Sequence, residues 1–256
     1  MEALTLNIPP NFNLTDEQFY QLCLANEAFK MEITGKEIFT LTGHLNSVSA
    51  VTVTSDSYKA ISASWDNTLK VWDLITGREI FTLTGHHHSV EAVTITSDRS
   101  KAISASWDNT LKVWDLITGK EIFTLTGHLN SVNKVVVTPD NSKAISASWD
   151  GTYKVWDLLT GKLLFTLAGN LNSVNAIAIT PDSQYAICVS GDALKVWDLV
   201  TGKEKIIFLG DSIFQCVTFC PNNQTIVTGD ASGIVHFLRI EELTIDKNKI
   251  HEKSNK

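Results

Sequence analysis

The chain repeats itself. A Thr-Gly pair recurs at Thr34, Thr76, Thr118, Thr160 and Thr201, in steps of 42, 42, 42 and 41 residues. Residues 34–75 and 76–117 differ at only 7 of 42 positions, so these units must adopt nearly the same local structure. A period of this length suits one small antiparallel sheet per unit. Such a sheet exposes two apolar faces and is stable only when neighbouring copies cover them.

Within a unit the pattern is all strand. In the third unit, 132–138 is rich in β-branched residues, and strands are expected to follow over 143–148, 152–156 and 163–167. Turn formers separate the strands: Ser55-Asp56-Ser57, Pro139-Asp140-Asn141 and Pro181-Asp182-Ser183 on one side, and Asp66-Asn67, Asp108-Asn109 and Asp150-Gly151 on the other. Each unit is therefore expected to be a meander of four antiparallel strands.

Gly43-His44, Gly85-His86 and Gly127-His128 are each followed, 28 residues after the histidine, by Trp72-Asp73, Trp114-Asp115 and Trp156-Asp157. With these motifs at fixed period, residues 34–239 resemble the WD-repeat (Trp-Asp repeat) family. The resemblance implies an all-β propeller. It also implies a buried, hydrogen-bonded tetrad in each strong repeat: Asp66, His44, Ser62 and Trp72; Asp108, His86, Ser104 and Trp114; Asp150, His128, Ser146 and Trp156. The chemistry allows this, because an indole N–H can donate to a hydroxyl, the hydroxyl to an imidazole, and the imidazole to a carboxylate. A Ser, His and Asp in proximity also suggest a hydrolase triad, but here the hydroxyl is committed within a sheet and the set repeats, so no catalytic residue is expected. The fourth unit departs from the pattern, with Asn170 and Cys188 beside Asp192 and Trp197. In the fifth, Asp211, Thr228 and Phe237 are expected at the His, Ser and Trp positions.

The segment 36–41 has no preceding strands of its own, while 213–238 supplies three strands without a fourth. Pairing of 37–41 with 234–238 would complete a fifth blade and close the propeller, fewer blades than the seven that the resemblance implies. The alternative is incomplete closure, giving a homodimer through the open ends in place of a monomer. The expected organisation is an arm over 1–33, a WD-repeat propeller over 34–240 and a flexible polar tail over 241–256.

In the arm, Thr15 as N-cap and Gln18 in the capping-box position start a helix, with Phe19, Leu22, Cys23 and Phe29 on its apolar face. The stretch from Leu6 through Cys23 resembles the opening of Uma-type endonucleases, but the repeats begin at once and leave no room for the metal-binding sheet such an enzyme needs. The arm is expected to be an inactive leader.

A net charge of -7 offers no basic field for a phosphate backbone, so nucleic acid is not an expected partner. No apolar run reads as a signal peptide or membrane span, and Cys23, Cys188, Cys216 and Cys220 show no paired spacing, which fits a reducing cytoplasm. Cys188, Cys216 and Cys220 fall in strand-like segments and are expected to be small buried hydrophobes. The run His86-His87-His88 hints at a metal, but His86 belongs to a tetrad and adjacent residues of a strand cannot all face one ion, so no metal or cofactor is expected.

The expected function is a protein or peptide scaffold using the loops that carry the Gly-His and Ser-Trp-Asp turns. Trp65, Trp107 and Trp149 stand just before the tetrad aspartates, and aromatic rings of this kind serve as interface anchors; packing onto the neighbouring blade is the alternative. Gly191 occupies the fourth such position. The copies vary near the same loops at Leu45, His87, Leu129 and Leu171, at Asn46, His88, Asn130 and Asn172, and at Ser49, Glu91, Asn133 and Asn175. Either partner choice or neutral drift produces such variation.

Overall fold

The computed structural model describes residues 37, 39–169, 174–220 and 224–239. The helix expected in the arm, the tail, Asn170, Leu171 and Asn172 lie outside the described residues. The chain divides into two compact units, Met1–Thr40 and Leu41–Lys256, and the sheets among the described residues lie in the second.

Four sheets have four antiparallel strands in sequence order. The first comprises β1 (Val48–Val53), β2 (Lys59–Ser64), β3 (Leu69–Asp73) and β4 (Arg78–Leu83). The second comprises β5 (Val90–Ile95), β6 (Lys101–Ser106), β7 (Leu111–Asp115) and β8 (Glu121–Leu125). The third comprises β9 (Val132–Val137), β10 (Lys143–Ser148), β11 (Thr152–Asp157) and β12 (Leu163–Ala168). The fourth comprises β13 (Val174–Ile179), β14 (Tyr185–Ser190), β15 (Ala193–Asp198) and β16 (Glu204–Leu209). The fifth has three strands among the described residues: β17 (Phe214–Cys220), β18 (Thr225–Asp230) and β19 (Val235–Arg239).

The turns explain the short connections. Ser57, Arg99, Asn141 and Ser183 take φ of 61° to 64° between the first and second strands of their sheets, and Asn67, Asn109 and Gly151 take 68° to 80° between the second and third. Asn and Gly adopt this left-handed region readily, and it reverses the chain within two residues. Aspartates fasten the same turns: the Asp56 carboxylate accepts the Tyr58 amide, and Asp140 accepts the amide of Ser142.

The sheets stack in chain order, with the first strand of each beside the first strand of the next. The core lies between the sheets. At the first junction Ile61, Ala63, Leu69 and Val71 of one sheet meet Val90, Ala102, Trp114 and Leu116 of the next, all buried. In each of the first four sheets the second strand is buried at nearly every residue, so the alternation of a half-solvated strand disappears. Polar links cross the junctions too. Ser49 Oγ donates to the Val90 carbonyl at 2.5 Å, and Asn175 Nδ2 donates to the Phe214 carbonyl at 2.5 Å.

Three expectations are modified. Glu37, Phe39, Thr40 and Leu41 lie in no strand, and Lys36 and Ile38 lie outside the described residues, so the closing pair of 37–41 with 234–238 is not among the described pairings. Phe237 does not hold the Trp position: each sheet pairs its Trp with a second-strand alanine (Ala60↔Trp72, Ala186↔Trp197), and the equivalent pair in the fifth sheet is Ile226↔Leu238. Side chains alternate between sheet faces, so this one-residue offset turns Phe237 to the opposite face. Finally, among the described cysteines only Cys188 is buried; Cys220 is half-buried and Cys216 is exposed.

Candidate functional site

Three linked sets of side chains sit at the same place in the first three sheets. In the first, His44 Nδ1 lies 2.8 Å from Asp66 Oδ2, His44 Nε2 lies 2.7 Å from Ser62 Oγ, and Trp72 Nε1 donates to Ser62 Oγ at 2.8 Å. In the second, His86 is 2.8 Å from Asp108 and 2.7 Å from Ser104, and Trp114 donates to Ser104 at 2.9 Å. In the third, His128 is 2.8 Å from Asp150 and 2.7 Å from Ser146, and Trp156 donates to Ser146 at 2.8 Å. A carboxylate only accepts, so each Nδ1 donates a ring proton to its aspartate, and an Nε2 without a proton accepts the serine hydroxyl. The serine oxygen is thus donor to histidine and acceptor from indole.

The aspartates collect further donors. Burial works to raise the Asp150 pKa, but the Thr152 hydroxyl, the Leu129 amide and His128 more than offset it and hold the group at about 2. The same opposition leaves Asp66 and Asp108 well below the usual carboxylate range. Burial pushes the His128 pKa down, against the pull of Asp150. A neutral imidazole and an ionised carboxylate are the consistent pair.

In the fourth sheet Cys188 takes the serine register, opposite Lys195 as Ser62 is opposite Lys70. The Trp197 indole nitrogen there is buried without a partner. In the fifth, Thr228 holds the serine register, opposite His236, and its hydroxyl instead donates to the Cys216 carbonyl at 2.7 Å. Asp211 is exposed.

The three tryptophans in the turns after β2, β6 and β10 are brought together. Trp65 and Trp107 have ring centroids 5.8 Å apart at 40°, and Trp107 and Trp149 have centroids 5.8 Å apart at 39°. His88 adds a fourth ring, 5.7 Å from Trp107. The ladder is open at both ends, with Trp65 41% and Trp149 50% exposed. Each ring packs on its neighbour, as the packing alternative expected, and the outer two keep large apolar surface exposed. Asn46, His88 and Asn130 are exposed on adjoining loops, where each side chain accepts the amide of the next residue.

Sequence reasoning marked Ser49, Glu91 and Asn133 as variable but missed what they do. They line a cavity of about 440 Å³ together with Ala50, Lys134 and Ile177, on the first strands of four successive sheets. Glu91 also accepts the Trp65 indole N–H at 3.1 Å. One period on, the equivalent pair is Trp107 and Asn133, yet Trp107 Nε1 and Asn133 Oδ1 are both buried with no hydrogen-bond partner. The signal was present in the sequence as a constant offset of 26 residues from each tryptophan to the variable position.

The family profile described as "WD domain, G-beta repeat" matches residues 35–73, 77–115, 119–157 and 161–198. The chain is similar to Small ribosomal subunit protein RACK1 of Caenorhabditis elegans, 50% identical over 40 residues, which are 16% of this chain and 12% of that protein. It is also similar to Telomerase protein component 1 of Rattus norvegicus, 35% identical over 60 residues, 23% of this chain and 2% of that protein. The chain therefore aligns with only a small part of each relative. Repeats matched over more than half its length, with five antiparallel sheets stacked in chain order, make this chain a member of the WD-repeat family.

Proposed function

We propose that the chain is a non-catalytic scaffold that holds a protein or peptide on the loop face bearing Trp65, Trp107, Trp149, Asn46, His88 and Asn130, with Asn172 completing the set by its place in the repeat. The observation that carries this reading is the aromatic ladder, whose outer rings stay half open.

The tetrads serve as structural ties in this reading. Each serine proton is held by a histidine and each serine oxygen by an indole, so the hydroxyl is not free to attack a substrate. The net charge of -7 favours protein over nucleic acid as the surface contacted. Both relatives are named as parts of larger assemblies, one of a ribosomal subunit and one of telomerase, which agrees with a holding role. The free thiols Cys188, Cys216 and Cys220 agree with a reducing, cytoplasmic setting, and the arm is assigned no activity of its own.

The test is affinity capture from cell extract with the wild type and with a Trp65→Ala, Trp107→Ala, Trp149→Ala triple variant, both checked for native circular dichroism. The expected result is that proteins retained by the wild type are lost from the variant. Equal capture of every partner by both would remove the aromatic face from the binding surface.

A further inference from the structure

The first and last sheets expose apolar residues whose counterparts in the middle sheets are covered. Val48 is 51% exposed, while Val90, Val132, Val174 and Phe214 at the same place in the later sheets are 0–3% exposed. Val51 and Val53 beside it are also exposed. At the other end Phe237 is 72% exposed, whereas Val71, Val113, Val155 and Val196 at its place are 0–1%. Val235 repeats the pattern against Leu69, Leu111, Tyr153 and Leu194. These are large apolar residues on contiguous strands, and patches of that kind mark association surfaces.

We infer that the two faces are the separated halves of one inter-sheet junction, and that a second copy of this chain covers them, the fifth sheet of one copy packing on the first sheet of the other. The chain already makes this contact four times. Each internal junction seats a first-strand Val or Phe of one sheet on the second- and third-strand apolar residues of the sheet before it. Val48, Val51 and Val53 are the first half of that contact without its second, and Val227, Val235 and Phe237 are the second half without its first. A second copy supplies the complement in the same register.

The polar links point the same way. Ser49 at the first junction and Asn175 at the last each donate to the carbonyl of the next sheet's leading residue, Val90 and Phe214. Gln215 holds that position in the fifth sheet and is exposed, and the carbonyl it would meet on the other copy is that of Val48. The contact joins two different faces and is therefore heterologous: two copies can close on each other through two such junctions, or further copies add in line.

Sedimentation velocity on the full chain over a concentration series tests this, together with Val51→Glu and Phe237→Glu variants shown by circular dichroism to be folded. The wild type is expected to reach at least twice the mass of the 28.2 kDa chain, and each variant alone to remain a single chain. Mixing the two variants should restore a one-to-one pair, because Val51 of the Phe237→Glu chain still meets Phe237 of the Val51→Glu chain. Gln215→Ala should weaken association without abolishing it. A wild type that stays a single chain at every concentration would overturn the inference in favour of closure within one chain. Variants that dissociate singly and fail to complement would overturn it in favour of a symmetric contact.

Discussion

Removing one hydroxyl from the second tetrad should unfold the chain far more readily than the loss of a single oxygen suggests. Ser104 is completely buried. It is the partner of both the Trp114 indole, at 2.9 Å, and His86 Nε2, at 2.7 Å. Ser104→Ala leaves a buried donor and a buried acceptor unsatisfied, and each such group costs about 1–3 kcal/mol, so the variant should lose about 3 kcal/mol. In a chain of this size that is a fall in Tm of roughly 6–12 °C. The fourth sheet supplies the reverse experiment, since Cys188 sits in the serine register beneath an unpartnered Trp197 Nε1. Cys188→Ser gives that indole an acceptor and should add about 1 kcal/mol, the net worth of one hydrogen bond. Urea denaturation followed by circular dichroism measures both, and hydrogen exchange on β6 and β7 shows whether the loss is local, because repeat arrays unfold in parts. A folded Ser104→Ala variant within about 0.5 kcal/mol of wild type, the usual scatter for a surface change, would show that the tetrad does not hold the sheet together.

Two other perturbations separate effects that are easily confused. Gly202 has φ of +68° and a Cβ built there would lie 2.4 Å from the Phe165 ring, whereas Gly233, at +90°, has nothing within 4 Å of its Cβ. Both alanine variants incur the left-handed backbone cost of about 1 kcal/mol, but Gly202→Ala must also displace Phe165, so its thermal melt should fall clearly below that of Gly233→Ala; equal melts would deny the close packing of Phe165. Acid should act in two stages. Asp150 is depressed from 3.8 to about 2, so the folded state holds fewer protons, and its contribution is present above about pH 4 and lost as pH falls towards 2. The His128 pKa is lowered from 6.5, so the unfolded chain takes up a proton first, and that contribution is complete above pH 6.5 and declines below it. Denaturation midpoints across this range should fall in both windows, and Asp150→Asn should shrink the lower one, to which Asp66 and Asp108 also contribute; a flat profile would contradict the charge assignment.

What could be read from the sequence, and what could not, follows from the range over which each feature is determined. The hairpins were legible because Asp66-Asn67 and Asp150-Gly151 specify their turns through local backbone preferences, and the strands between them lie within one or two residues of expectation. The tetrad members could be named because three copies carry the same four residue types at the same offsets, and the side chains duly lie within hydrogen-bonding distance. The fifth unit lacked that aid. With no Trp and a shortened repeat, counting along the chain put Phe237 at a position that strand pairing gives to Leu238. The tryptophan ladder was half legible, since three rings at one period had to be near one another, but the offset linking Trp65 to Glu91 crosses from one sheet to the next and gains meaning only once the stacking is known.

Exposure of the end sheets was legible only as the alternative of incomplete closure, for a reason that bears on function. Val48 and Val90 are the same residue in nearly the same sequence context, yet one is half exposed and the other fully buried. Burial here belongs to the junction and not to the unit. Copying a unit copies both of its apolar faces, so a stack of any length buries its internal faces and leaves one of each kind at its ends. The free energy of covering apolar surface is the same whoever provides the cover, so the drive that stacks five sheets within the chain acts undiminished on the two faces left over. In a repeat of near-identical units those faces are complementary by construction, because each is a copy of a surface that already fits the other.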